Sequence, residues 1–157
     1  MARFLAYLYR LAVALLLGAD FFFAAVAAPA SFPRNIASLP PGSWQRVAAA
    51  DLVGRMLSRL DRMTLVLAGV AALSAIALAR TGFARARTAA LPVLGAGLCA
   101  LFSAAWVTPR IQTLRGLGES AGPEFGRLHF LSTALVGIEM LLLLGALWIS
   151  PSPPHPQ

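Results

Sequence analysis

Two acidic residues stand where acids are expensive. Glu139 interrupts the apolar stretch from Leu128 to Ile149, and Asp20 interrupts the first apolar run of the chain. A carboxylate near the midpoint of a membrane-spanning helix costs roughly 2–4 kcal/mol to insert, so it turns toward protein or water and away from lipid. Each acid falls near the middle of its run, which predicts a common membrane depth. In an up-down-up-down bundle the first and fourth helices are neighbours, so the two carboxylates can face each other with no base at that depth. Such a pair is a proton-accepting or cation-binding site. The plainer alternative is that each is neutral, hydrogen-bonded locally and only packs.

His129, Ser132, Val136 and Glu139 recur at i, i+3, i+7 and i+10, which is one seam of a helix. The candidate buried polar site is therefore Asp20, Glu139, Ser132 and His129. His129 is a conceivable haem or metal ligand, but a haem between helices needs a second axial ligand. Met140 lies about three turns away, and His155 sits in the proline-rich tail. A lone histidine at a span's end reads more simply as a hydrogen-bonding anchor. No metal, cofactor or catalytic residue is expected. Gly118-Glu119-Ser120-Ala121-Gly122 matches the G-x-S-x-G pattern of hydrolase nucleophile elbows. That motif works only on a strand-to-helix turn with an acid and a histidine following, and no strand is expected here, so the match is accidental. Walker loops, dinucleotide fingerprints, paired cysteines and HExxH are absent from the sequence.

The elements that must hold these residues follow from composition. The chain has 157 residues, 59% hydrophobic and 12% charged, with mean hydropathy +0.75. That is about half the charge of a soluble domain. Apolar runs of spanning length recur, so the class is a polytopic membrane protein. Net charge is +7, and all 13 basic residues are arginine. They sit at the ends of apolar runs, where they anchor helices, and form no solvated face for nucleic acid. The one cysteine, Cys99, lies inside an apolar run and excludes a disulfide framework within one chain.

The expected fold is all-α: a single four-span membrane domain over 1–150, with spans at about 5–28, 63–79, 89–107 and 128–149, and a disordered tail at 151–157. Asp20 and Phe21-Phe22-Phe23 argue against cleavage of the first run as an export signal, although Ala25-Val26-Ala27 resembles a processing site. Pro29 ends the first span, and Pro33, Pro40 and Pro41 block its continuation. Over 44–62, Val53, Met56, Leu57 and Leu60 share one helical face, while Asp51, Arg55, Arg59 and Arg62 line the other. This predicts an amphipathic helix between the first and second spans, lying among anionic lipid headgroups; an extension of the second span is the alternative. Pro92 opens the third span near its first turn and Pro109 closes it. Gly95, Cys99 and Ser103 repeat every four residues, as do Ala71, Ala75 and Ala79, which lets helices approach closely. The second loop carries Arg80, Arg85 and Arg87 with no acid, which favours cytoplasmic termini in the cell's inner (plasma) membrane.

Three separated segments carry a family likeness. They are Gly18 to Val26 running into Ala28-Pro29-Ala30-Ser31-Phe32, then Thr108-Pro109-Arg110-Ile111, then Phe125 to Ser132. In that order, with a basic amphipathic helix after the first, the chain resembles the transmembrane-protein-205-like family over about residues 11 to 149. The resemblance implies a small four-helix membrane protein with no settled biochemical activity, and a link to tolerance or export of toxic compounds has been proposed within the family. Pro29, Phe32, Pro109, Arg110, His129 and Ser132 carry over. The family often has Asn one turn beyond the serine; here that position is Val136, so a polar site in relatives is shifted or lost.

Three roles follow. A non-enzymatic scaffold or assembly factor needs only the packing seams and the amphipathic helix, and is the leading expectation. A small transporter or tolerance factor would use Asp20 and Glu139, with a homodimer to enclose a path. A haem-binding membrane oxidoreductase is the most distant.

Overall fold

The computed structural model describes residues 1–32, 34–35, 38–40, 42–116 and 122–152. Among them, four helices are long and apolar enough to cross a membrane: α1 (Ala2–Ala30), α2 (Trp44–Arg80), α3 (Ala86–Arg115) and α4 (Pro123–Trp148). No strand forms among the described residues. Leucine and alanine, both strong helix formers, dominate all four. α2 stops where Thr81 N–H donates back to Leu78 O and Gly82 takes the left-handed φ of +78° that glycine adopts freely. α4 opens on Pro123 at its first turn, where a missing N–H costs nothing.

The helices close into a ring. α1 packs on α2 and α4, and α3 packs on α2 and α4, so the first and last helices are neighbours. The inner core is built largely of alanine: Ala12, Ala68, Ala71, Ala72, Ala75, Ala89, Ala90, Ala96 and Ala146 are buried together around Tyr9, Val13, Leu16, Val93 and Leu143. Small residues let the backbones approach, which drives association where lipid is as apolar as leucine. Gly95 contributes the same way, since a Cβ there would stand 3.1 Å from Leu142 Cδ1. One end of the ring is tied by Tyr9, whose hydroxyl is shared between the carbonyls of Ala89 (2.9 Å) and Ala146 (3.1 Å).

Five boundaries differ from expectation. The amphipathic stretch 44–62 is no separate interfacial helix. It continues unbroken into the second span as 37 residues of α2, about 55 Å of helix. No proline separates the two parts, and Ala49, Leu60, Asp61, Thr64 and Ala68 carry buried positions across the junction. Nor do Pro29 and Pro109 end their spans. Each follows a π-helical turn, Phe23–Ala27 in α1 and Ser103–Val107 in α3, after which the helix resumes. The two turns share a local pattern: Phe22, Ala24, Ala25 and Pro29 recur at the same spacing as Phe102, Ala104, Ala105 and Pro109. Proline lacks the N–H that an α-helical turn requires, and the wider turn absorbs the mismatch. Pro92 sits inside α3, not at its start. Finally, the expected tail begins ordered: Pro151 is buried, Arg10 Nη2 donates to its carbonyl at 3.1 Å, and Ser152 N–H donates to Ala84 O. His155 lies outside the described residues, as do residues 117–121, which carry most of the G-x-S-x-G match.

Candidate functional site

Among the described residues three carboxylates are buried inside the ring, one more than the spacing suggested. Asp20 on α1 is 0% exposed, and Asp61 on α2 and Glu139 on α4 are each 3% exposed. The remaining wall, α3, supplies hydroxyls. Ser103 Oγ donates to Asp61 Oδ2 at 3.2 Å, Thr108 Oγ1 lies 3.5 Å from the same oxygen, and the two hydroxyls are 3.5 Å apart. Ser103 opens the π turn and Thr108 is the first residue after it. The wider turn sets Ser103 and Thr108, five residues apart, on one side of the helix.

The acids act on one another. Asp20 lies within electrostatic reach of Asp61, and Glu139 within reach of both. Cys99 on α3, half-buried, is within reach of Glu139. Yet among the described residues no base pairs with any of the three; both ion pairs found, Arg55–Asp51 and Arg110–Glu124, are exposed. Neither oxygen of Asp20 has a hydrogen-bond partner, and the same holds for the fully buried Thr64 hydroxyl. Thr64 lies one turn from Asp61 on the same face of α2. Buried polar atoms are nearly always satisfied, so three orphaned oxygens beside a set of acids form a marked polar interior.

The acids are spaced along the bundle axis. The Tyr9 tie places Tyr9, Ala89 and Ala146 in one layer. At about 1.5 Å per helical residue, Glu139 lies about 10 Å from that layer, Asp20 about 16 Å, and Ser103, which holds Asp61, about 21 Å. Along the helix axes Asp20 and Glu139 are thus offset by about 6 Å, roughly one turn. Among the described residues no three His, Cys, Asp or Glu converge closely enough to hold a metal ion. The arrangement is a staircase and lacks a coordination centre. Two surface recesses of about 240 and 300 Å³ lie elsewhere, at Arg80 with Arg87 and at Arg110 with Arg127, and none of the three acids lines them.

The other candidate residues spread out. Ser132 is buried on the Glu139 face, seven residues nearer the N-terminus of α4. His129 is exposed, and its ring stacks on Phe125 with centroids 6.1 Å apart, so it stands outside the polar interior. Pro29 and Pro109 follow the π turns. Phe32 is exposed. Arg110 donates from Nε to Glu124 Oε1 at 3.0 Å and lies over the Trp106 ring.

Asp61 was missed because it stands among charged neighbours, with Arg59 and Arg62 on either side. Its helical position gave the signal: Val53, Leu57 and Asp61 fall at i, i+4 and i+8, on the apolar face.

No curated protein and no solved structure matches the chain. A family model does, over residues 11–120, a range that holds Asp20, Asp61, Ser103 and Thr108 and stops short of α4 with Glu139. With that match covering most of its length, this multi-pass membrane chain belongs to the family described as a domain of unknown function, DUF4149.

Proposed function

We propose that this protein is a small, non-enzymatic, proton-coupled transport protein of the cell's inner membrane, with its termini in the cytoplasm. The observation that carries the reading is the set of three buried acids, mutually within electrostatic reach and without a base, with both Asp20 oxygens unpartnered. An ionisable group held inside a membrane bundle without a counter-charge destabilises the fold, and such groups mark ion and proton pathways. A scaffold or assembly factor needs the alanine seams and has no use for the acids. The staggered depths suit a proton passed between sites better than a metal ion held by all three at once. A haem role finds little support, because His129 is exposed against Phe125 and offers no enclosed axial position.

The resemblance to the transmembrane-protein-205-like family suggests toxic small compounds as the exported class. Four helices enclose little volume, so the substrate path is assigned to a homodimer. Anionic headgroups are assigned to the arginine face of the α2 extension, where Arg59 and Arg62 stand beside the exposed Arg55–Asp51 pair.

Flux in proteoliposomes tests the reading. An imposed pH gradient drives proton-coupled uptake in the native protein, and Asp20→Asn with Glu139→Gln abolishes it. Unchanged flux or unchanged cellular tolerance in that double variant would sink the proposal. A partner co-purifying in fixed ratio would then favour the scaffold.

A further inference from the structure

Resting on the proton-coupled reading, we infer that the three acids form a one-ended proton ladder: Asp61 is its mouth, Asp20 its middle rung and Glu139 its inner end. Between α3 and α4 the outer half is apolar, with Val107, Ile111, Leu114, Leu128 and Leu135 buried together, so the contrast lies along the seam of α2 with α3. Inward of Glu139, toward Tyr9, the interior is the alanine core closed by the hydroxyl shared between α3 and α4. Below that layer, Leu78, Ala6 and Ala86 add a second apolar seal. Outward of Asp61, polar atoms continue along the seam between α2 and the outer part of α3. Thr108 stands next to Asp61, and Ser58 Oγ donates to Gly54 O at 3.0 Å. Arg115 Nη1 donates to Ala50 O at 2.8 Å, while its buried Nε has no partner. α2 packs closely on the inner part of α3 and only sparsely on this outer part. The polar atoms of this seam offer water the hydrogen-bond partners that an alanine core lacks.

The two outer rungs have an unpartnered acceptor or a hydroxyl beside them. Asp61 has Ser103 and Thr108, Asp20 has two free oxygens and stands in electrostatic reach of Asp61, and the free Thr64 hydroxyl lies one turn along α2 at about the depth of Asp20. The step is a transfer of H⁺ alone. No hydrogen bond joins any two of the acids, so each exchange is relayed through water: an O–H bond at Asp61 breaks as one forms at Asp20, then one at Asp20 breaks as one forms at Glu139, each acid returning to carboxylate as the next becomes carboxyl. No electron moves and no co-reactant is needed. The charged and titratable groups that face the ladder are Tyr9 on α1 at the sealed end, Cys99 on α3 beside Glu139, and Arg115 on α3 at the mouth, with Asp51 on α2 in Arg115's reach.

Time-resolved infrared spectroscopy of the purified full chain after a rapid acid jump tests the order, and needs no transported substrate. The carboxyl bands are assigned with Asp20→Asn, Asp61→Asn and Glu139→Gln. Expected is a tenfold or greater slowing of proton arrival at Asp20 and Glu139 in Asp61→Asn, with arrival at Asp61 unchanged in Glu139→Gln. Ser103→Ala with Thr108→Val keeps the acid but removes its donors, and should slow the same arrivals at least threefold if Asp61→Asn fails to fold. Arrival at Glu139 that is indifferent to Asp61 and to these hydroxyls, or accelerated by Tyr9→Phe, overturns the ladder. Ordered arrival without vesicle flux would leave the ladder standing and remove the transport reading, so the two failures are separable.

Discussion

Ser103 reaches Asp61 across two helices with its hydroxyl 3.2 Å from Oδ2, and it does so from within a π-helical turn. Thr108, at the turn's far side, lies 3.5 Å from the same oxygen. Buried hydrogen bonds to a charged group contribute about 1.5–3 kcal/mol, with the neutral form at the lower end. Ser103→Ala is expected to lower stability by about 1–2 kcal/mol and Thr108→Val by less, because its contact is longer. Thermal unfolding in detergent, comparing both variants with native protein, measures this. Equal melting temperatures would mean the hydroxyls do not hold the acid.

Asp20 makes the opposite prediction. It is wholly buried, has no hydrogen-bond partner and stands near two other acids, so removing its charge relieves repulsion and desolvation. Asp20→Asn is expected to raise the melting temperature while flux falls. Gain of stability with loss of function marks a residue retained for activity. A lower melting temperature would indicate that the carboxylate is structural.

Tyr9 joins α1 to α3 and α4 through a single hydroxyl. Both carbonyls already belong to helices, so losing the phenol costs only the net worth of a shared hydrogen bond, about 0.5–1.5 kcal/mol. Tyr9→Phe should destabilise by that amount and leave the alanine packing intact. Hydrogen exchange at the backbone of α4's last turns reads the change locally.

The Arg110–Glu124 pair is expected to matter little. Its side chains are 55% and 53% exposed, and exposed pairs contribute about 0–1 kcal/mol. Glu124→Ala should shift stability by under about 0.5 kcal/mol. The cation–π contact of Arg110 with Trp106 gives Arg110→Ala a larger effect than Glu124→Ala. Melting curves of the two single variants at low and high salt separate the contributions.

How far the chain could be read from its letters depended on the kind of signal. Four spans and the ring of neighbours followed from apolar length and short connections, because the bilayer imposes both. Asp20 and Glu139 were legible because an acid in oil stands out against its neighbours. Asp61 was not, since Arg59 and Arg62 made it look like part of a charged surface, and only its helical phase with Val53 and Leu57 told otherwise. Pro29 and Pro109 read as stops because proline forbids an α-helical hydrogen bond, and a five-residue π turn that sidesteps the prohibition leaves no trace in composition. The extent of α2 was open for a related reason. An amphipathic stretch beside an apolar one fits a bend or a straight rod equally well, and contacts with other helices decide between them.

The wide turn in α3 is, in effect, an α-helix with one amino acid too many. Excising Ala105 would tighten the coil to an ordinary helical turn, in which Ser103 and Thr108 stand four residues apart and still share a face. Thr108 would stay on the side of Asp61, and Arg115 on the side of Ala50. What such a deletion removes is the room for Pro109, whose ring and missing N–H a regular turn does not accommodate. The same holds for Ala25 and Pro29 in α1, so in both helices a shortened segment would keep its facing and strain at its proline.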